Sequence, residues 1–302
     1  MKKSLVFIMV LMGLLACGQS YEEQQRLSRA EKQRLHTEDS LALKVAVTPT
    51  LDCLPVWLAK EHNLFDTAKV DVRLRRFNAQ MDVDTALMND RVEGGFSDLV
   101  RIERMKRRGV SLDYLSATGA YWLLVANRTA RVKEINQLGD KMLAMTRYSA
   151  TDYLTDKALE RVKTTAKVYK VQINDVHIRL NMLLNNEMDA GWLTEPQATA
   201  ALSAGNEVLK DSRKMNVNLG AVVFRGNAMK DKRRQQQLSE FVKGYNRACD
   251  SINLHGISYY AKIITLYSNA DKKVIGALPK MKYEHVVLPK ISDINKAKAY
   301  IK

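Results

Sequence analysis

The side chains of this 302-residue chain that could do chemistry gather on four short polar loops: TPTLDCLP (48–55), SDL (97–99), TRYSATD (146–152) and LTEP (193–196). The five histidines (His36, His62, His177, His255, His285) fall outside these loops, and no CxxC or His-rich spacing occurs. No catalytic residue, cofactor or metal site is therefore expected. What the loops offer is hydrogen bonding. Thr48, Thr50 and Asp52 sit on the first and Ser97 and Asp98 on the second, where capping a following helix competes with ligand contact. Arg147 sits just before a helix start, where a cation opposes the helix dipole. It points to an anion, or else to an ion pair with Asp98 or Glu195. Ser149 and Thr151 add hydroxyls and backbone N–H groups, and Ser149 with Asp152 has capping-box spacing. Thr194 can cap and Pro196 can open a helix, which leaves Glu195 for a ligand. Tyr148 and Trp192 can stack on a flat ligand, though an inward-facing strand tryptophan is more often core. Arg147 and the helix N-termini suit a sulfonate-like anion, whereas Asp52, Asp98 and Glu195 suit an amine or a ring with N–H donors. A zwitterion or an aminopyrimidine satisfies both.

The elements around these loops alternate. LALKVAV (41–47), VDVRLRRF (70–77), VEGGF, YWLLVAN (121–127), KMLAM (141–145) and NLGAVVF (218–224) read as strands, with amphipathic helices between them. That order implies an α/β fold with mainly parallel sheets, whose ligands lie where strands lead into helix N-termini. One phrase occurs twice. LMNDRVEGGFSD (87–98) and LLNNEMDAGWLTEP (183–196) align at an offset of 96, matching Leu87 to Leu183, Asn89 to Asn185, Glu93 to Asp189, Gly95 to Gly191 and Phe96 to Trp192. Each reads as helix, Asn stop, short strand and polar loop, once per half.

The opening MKKSLVFIMVLMGLLAC has a basic start, an apolar run too short to span a bilayer, and Leu14-Leu15-Ala16-Cys17. It resembles the lipobox of bacterial lipoproteins, which implies a signal peptide over 1–16 and a lipid on Cys17 that holds the chain at a membrane. Residues 18–40 lack Val, Ile, Phe and Trp and cannot bury a core, so 17–40 reads as lipidated Cys and polar tether. Cys53 and Cys249 could form a single bridge in an oxidising compartment, but two separate buried thiols are the favoured reading. The formal charge of +15 is scattered over helix ends such as RIERMKRRG (101–109), which favours a solvated or lipid-facing surface over nucleic acid.

Together the lipobox, VAVTPTLDCLPVWLAKEHNLF, LMNDRVEGGFSD, MTRYSATDYLTDKAL and NNEMDAGWLTEP resemble the solute-binding proteins of ABC importers, in the branch serving nitrate, alkanesulfonates, taurine and thiamine-pyrimidine precursors. The resemblance implies a monomer with a two-lobed type II periplasmic-binding fold. Lobe one would be 41–120 plus 226–302 and lobe two 121–225, with WLLVAN and AVVF paired side by side as the hinge. It further implies a small solute clamped between the lobes, and a permease with a cytoplasmic ATPase as partner. An enzyme on the same fold and a sensory or scaffolding lipoprotein are the competing readings.

Overall fold

The computed structural model describes residues 21–301; the leader and Cys17, to which the signal-peptide and lipidation expectations refer, lie outside them. The described residues up to Ala42 form one unit. In it the expected tether is a continuous helix, α1 (Tyr21–Leu41), exposed from Ser28 to Glu38. Its Glu, Gln, Arg and Leu are good helix formers. The exposed Arg34–Glu38 pair at 3.6 Å adds little.

The second unit, from Leu43 on, is built on two five-stranded sheets. The first holds β1 (Leu43–Val47), β2 (Val72–Arg76), β3 (Gly94–Asp98), β4 (Leu112–Ala117) and β10 (Gly220–Arg225), in the order β2-β1-β3-β10-β4. The second holds β5 (Leu123–Ala126), β6 (Met142–Met145), β7 (Tyr169–Gln172), β8 (Ala190–Leu193) and β9 (Glu207–Asp211), in the order β7-β6-β8-β5-β9. In each sheet one strand, β10 or β5, runs against both its neighbours and the other two pairs are parallel, so each sheet is mixed. The helices are α2 (Leu54–Glu61), α3 (Gln80–Met88), α4 (Leu99–Arg107), α5 (Ala150–Leu159), α6 (Val176–Leu184), α7 (Gln197–Ser203), α8 (Gly226–Lys230), α9 (Lys232–His255), α10 (Ala261–Ser268), α11 (Lys272–Gly276) and α12 (Ile291–Tyr300). Strand alternation assigns the faces. Val45, Val222 and Phe224 pack with Trp57 and Phe241, while Ala46, Ala221 and Val223 turn to the opposite core with Leu99 and Ile102.

The repeated phrase acquires a physical meaning here. Asn89 and Asn185 end α3 and α6, and the residues after them, Asp90 (φ 59°) and Asn186 (φ 63°), take the left-handed backbone of a helix stop. Glu93 then accepts the Lys44 amide at 2.7 Å, and Asp189 accepts the Met142 amide at 2.8 Å, so each acid ties its own strand to the start of the parallel neighbour, β1 or β6. Gly95 and Gly191 sit against Ala46 and Ala144 in matching register, which makes β3 and β8 equivalent strands.

Two sequence expectations are corrected. WLLVAN and AVVF are not paired with each other: β5 belongs to the second sheet and β10 to the first, so residues 220–225 join the sheet of 43–117. The segments that run side by side are the flanks. Thr118 N–H donates to the Gly220 carbonyl at 2.9 Å, Asn218 Nδ2 to the Thr118 carbonyl at 3.0 Å, and the Trp122 amide to Ser212 Oγ at 2.8 Å. A Cβ on Gly220 would lie 2.6 Å from that of Ala120, so the crossing has room only for glycine. An all-apolar strand such as AVVF fits either sheet equally, and composition cannot choose. The sequence reading also passes over β4, β7 and β9. All three are edge strands, whose half-exposed faces carry weak apolar patterning.

Candidate ligand-binding site

The carboxyl ends of β1 and β3 meet the crossing segments and the Thr194 loop around a small polar cavity, lined by Thr48, Thr50, Asp52, Gln80, Phe96, Ser97, Asp98, Arg101, Ala120, Trp122 and Thr194. Its volume is about 20 Å³, space for one water and far below the several hundred Å³ of an ordinary small-molecule pocket. Direct bonds hold it shut. The Leu51 amide donates to the Glu195 carbonyl at 2.9 Å, Gln197 Nε2 to the Pro49 carbonyl at 2.9 Å, and the Ala150 amide to Asp98 Oδ1 at 3.0 Å. Each bond joins a loop of the first sheet to one of the second, so a solute enters only if the two sides part.

The loop after β1 supplies an ordered relay. Thr50 donates to Asp52 Oδ1 at 2.6 Å and shares a 2.9 Å hydroxyl contact with Thr48. Asp52 caps no helix: α2 begins with Pro55 in its first turn and receives no side-chain cap. Burial pushes the Asp52 carboxyl up to about 6, against the hydrogen bonds from Thr50 and Thr118.

Asp98 performs two capping tasks with one oxygen. Its Oδ1 accepts from the Arg101 amide of its own helix and from the Ala150 amide of α5, each at 3.0 Å. Its Oδ2 is buried and has no hydrogen-bond partner, as are Ser97 Oγ and Gln80 Oε1. Burial drives the Asp98 carboxyl up to about 6 despite the nearby Arg101 guanidinium. Arg101 itself is 2% exposed and is spent on Asp84, its Nε lying 2.9 Å from Oδ2 and its Nη2 on Oδ1. It also donates to the Gln80 carbonyl.

The structure brings together Thr48, Thr50, Asp52, Ser97 and Asp98 of the residues singled out in the sequence, and places the rest elsewhere. Arg147 and Tyr148 are exposed, because the chain reverses at Tyr148 (φ 55°) and turns both outward; Arg104 lies over the Tyr148 ring at 3.9 Å. Ser149 and Thr151 are wholly buried in the start of α5. Ser149 donates to the Thr146 carbonyl at 2.7 Å and accepts the Thr151 amide at 3.1 Å, and Thr151 accepts the Thr146 amide at 2.9 Å. The expected capping box is shifted, since Asp152 accepts the Tyr148 amide at 2.9 Å instead of Ser149's. Trp192 is core, fully buried, with Nε1 donating to Thr155 at 2.8 Å. Glu195 and Thr194 exchange roles. Glu195 takes the Tyr121 hydroxyl at 2.8 Å and the Thr199 amide of α7 at 3.0 Å, so both its oxygens are occupied, and Thr194 lines the cavity.

Gln80, Arg101 and Trp122 escaped the sequence reading. For Arg101 a signal existed: the dipole argument applied to Arg147 applies equally to a cation in the first turn of α4, and there the required acid, Asp84, is present. Cys53 and Cys249 are two free buried thiols. Among the described residues, no three His, Cys, Asp or Glu side chains are grouped to hold a metal.

Two like sheets with this strand order, bridged by two adjacent crossings and facing each other across their polar strand ends, make a two-lobed periplasmic-binding-protein fold of type II. No protein-family model and no curated protein matches the sequence. Solved structures do match. The ligand-binding component of an ABC-type import system from Staphylococcus aureus, with zinc bound, aligns with TM-score 0.71 at 15% identity, covering 86% of this chain and 90% of that one. The periplasmic aliphatic sulphonate binding protein SsuA from Escherichia coli gives 0.66 at 16% identity, covering 86% of each chain. The periplasmic nitrate-binding protein NrtA from Synechocystis gives 0.66 at 10% identity, over 81% of this chain and 74% of that one.

Proposed function

We propose that this chain is the solute-binding component of an ABC importer: it captures a small polar organic solute (of sulfonate, amino or pyrimidine type) between its lobes and delivers it to a membrane permease driven by a cytoplasmic ATPase. The observation that carries the reading is the closure of the two lobes over buried, unspent hydrogen-bonding groups at strand ends. The names of the similar structures, an import component and sulphonate- and nitrate-binding proteins, support it. In this reading the lobes divide as the sheets do, so β10 goes with lobe one, and the paired segments 118–122 and 212–219 bend as the hinge. Solute binding favours the shut arrangement because only that form contacts the solute from both sides. The exported monomer is anchored through lipid on Cys17, with 17–40 as tether. The enzyme reading is weaker, since none of the five histidines lines the cavity.

Native mass spectrometry of the purified mature protein tests this. A single co-purified small solute, lost on unfolding and restored with a rise in melting temperature on re-addition, is the expected result. No bound solute and no thermal response to a sulfonate, amine and pyrimidine panel would sink the reading. Anchoring is tested separately: Cys17→Ala should move the protein from the membrane fraction to the soluble one.

A further inference from the structure

Resting on that reading, we propose that the solute carries a cationic N–H donor group, an ammonium or amidinium, seated on Asp98 and Asp52, and that the cleft rejects free oxyanions. The unspent buried atoms on the cavity wall define the chemistry. Asp98 Oδ2 and Gln80 Oε1 are acceptors without donors, and Ser97 Oγ can accept as well as donate. Asp98 is 1% exposed, so its free oxygen cannot turn to bulk water for a partner. Asp52 places a second carboxylate on the same wall.

Every feature that would have suited an anion is already used. Arg101, a guanidinium at the cavity, is spent on Asp84. The N-terminus of α5, a ready anion seat, is covered by Asp98, which accepts the Ala150 amide there. Arg147 faces outward. An oxyanion entering the cavity would meet two carboxylates and no free cation on its wall, whereas an ammonium or amidinium supplies the donors that Asp98 and Gln80 lack and finds a second carboxylate in Asp52. The Phe96 and Trp122 rings add apolar walls for the body of the solute.

The groups facing the two acids make a pH signature. Asp98 faces Arg101, itself paired with Asp84. Asp52 faces Thr50 and Thr118, with Cys53, Tyr245 and Tyr283 near enough to feel its charge and all three held protonated by burial. Both carboxyls sit at about 6 in the folded protein, above their unfolded values. Their contribution to stability is therefore fully present below the unfolded value near 4 and is lost as pH rises through about 6. A cation needs them ionised, so its affinity runs the opposite way.

The test uses pairs matched in shape and opposite in charge: benzamidine against benzenesulfonate, and propylamine against propanesulfonate, by calorimetry and thermal shift on the mature protein. The cations are expected to bind at pH 7.5 and to weaken about tenfold or more by pH 5, while Asp52 and Asp98 stabilise the ligand-free protein over the same interval. Asp98→Asn keeps an acceptor for the Arg101 and Ala150 amides and should lose at least about tenfold in cation affinity. Ser97→Ala, which touches no cap, should lose about threefold and keeps the test alive if Asp98→Asn does not fold. Binding of the sulfonates alone, or of cations indifferent to both substitutions and to pH, overturns the charge assignment while leaving the solute-binding reading intact. Silence of all four probes, with no co-purified solute, overturns that reading and this inference with it.

Discussion

The two sheets end in loops of the same layout, yet they treat their polar groups differently. After β6 in the second sheet, Thr146, Ser149 and Thr151 satisfy one another. After β8, both oxygens of Glu195 are taken by Tyr121 and Thr199. A buried arginine, Arg179, crosses the strand ends by donating to the Trp192 carbonyl at 2.9 Å, to Thr146 Oγ1 at 2.6 Å and to the Ile173 carbonyl. With no ion pair to offset its burial, its guanidinium is pulled down to about 10. After β3 in the first sheet, Ser97 and Asp98 keep unspent atoms, as does Gln80 beside them, and the buried arginine there is neutralised by Asp84. Under the proposed function the difference is a division of labour: the loops of the second lobe are largely satisfied, Gln197 Oε1 excepted, and the unspent atoms on the cavity wall belong to the first. Closure joins them through groups the second lobe can spare: the Glu195 carbonyl, the Gln197 amide and the Ala150 N–H.

The division of labour is most exposed to substitutions that should act on only one property. Trp192→Ala empties a fully buried strand site and removes the indole donor from Thr155, whose hydroxyl keeps its bond to the Thr151 carbonyl. It should cost about 3–5 kcal/mol and lower the melting temperature by on the order of 10 °C. Solute affinity, measured where the variant remains folded, should change by less than about twofold. A collapse of affinity without loss of stability would put Trp192 in the site and break the comparison. Glu195→Ala is next in size, about 1–2 kcal/mol, since it removes the cap of α7 and leaves the Tyr121 hydroxyl without its acceptor. Chemical denaturation resolves that loss. An unchanged midpoint would mean Glu195 is free for a ligand after all.

How much of this the sequence already held follows from the same contrast. Features set by local rules were legible: apolar strands, helix stops at Asn89 and Asn185, and the repeated acid-Gly-aromatic strand whose Glu93 and Asp189 bond amides at the start of β1 and β6. Sheet membership of β10 was not, because a uniformly apolar strand carries no register information. In the first lobe the loop polar groups singled out in the sequence line one cavity, and Ser97 and Asp98 keep unspent atoms there. In the second, similar residue types bond among themselves, and whether a hydroxyl or carboxylate is already satisfied depends on neighbours as far as 74 residues away, as Tyr121 is from Glu195. A single left-handed residue, Tyr148, sufficed to turn Arg147 out of the cleft.

The smallest effect gives the sharpest discrimination, because it compares two serines at strand-to-helix turns, one in each lobe. Ser149 caps α5 through a bond to the Thr151 amide and donates to the Thr146 carbonyl, so Ser149→Ala should cost about 1 kcal/mol or more. Ser97 has a buried hydroxyl with no partner at all. Removing it deletes a desolvated group that returns nothing to the folded state, and Ser97→Ala should leave stability within about 0.5 kcal/mol or raise it slightly. The two variants differ from the parent by one oxygen each, so volume and propensity effects largely cancel between them. Equal destabilisation in parallel melts would mean that Ser97 has a structural partner, and the first lobe would lose its claim to hold hydrogen-bonding capacity in reserve for a solute. A stable Ser97→Ala beside a weakened Ser149→Ala would place the unspent serine hydroxyl in the first lobe.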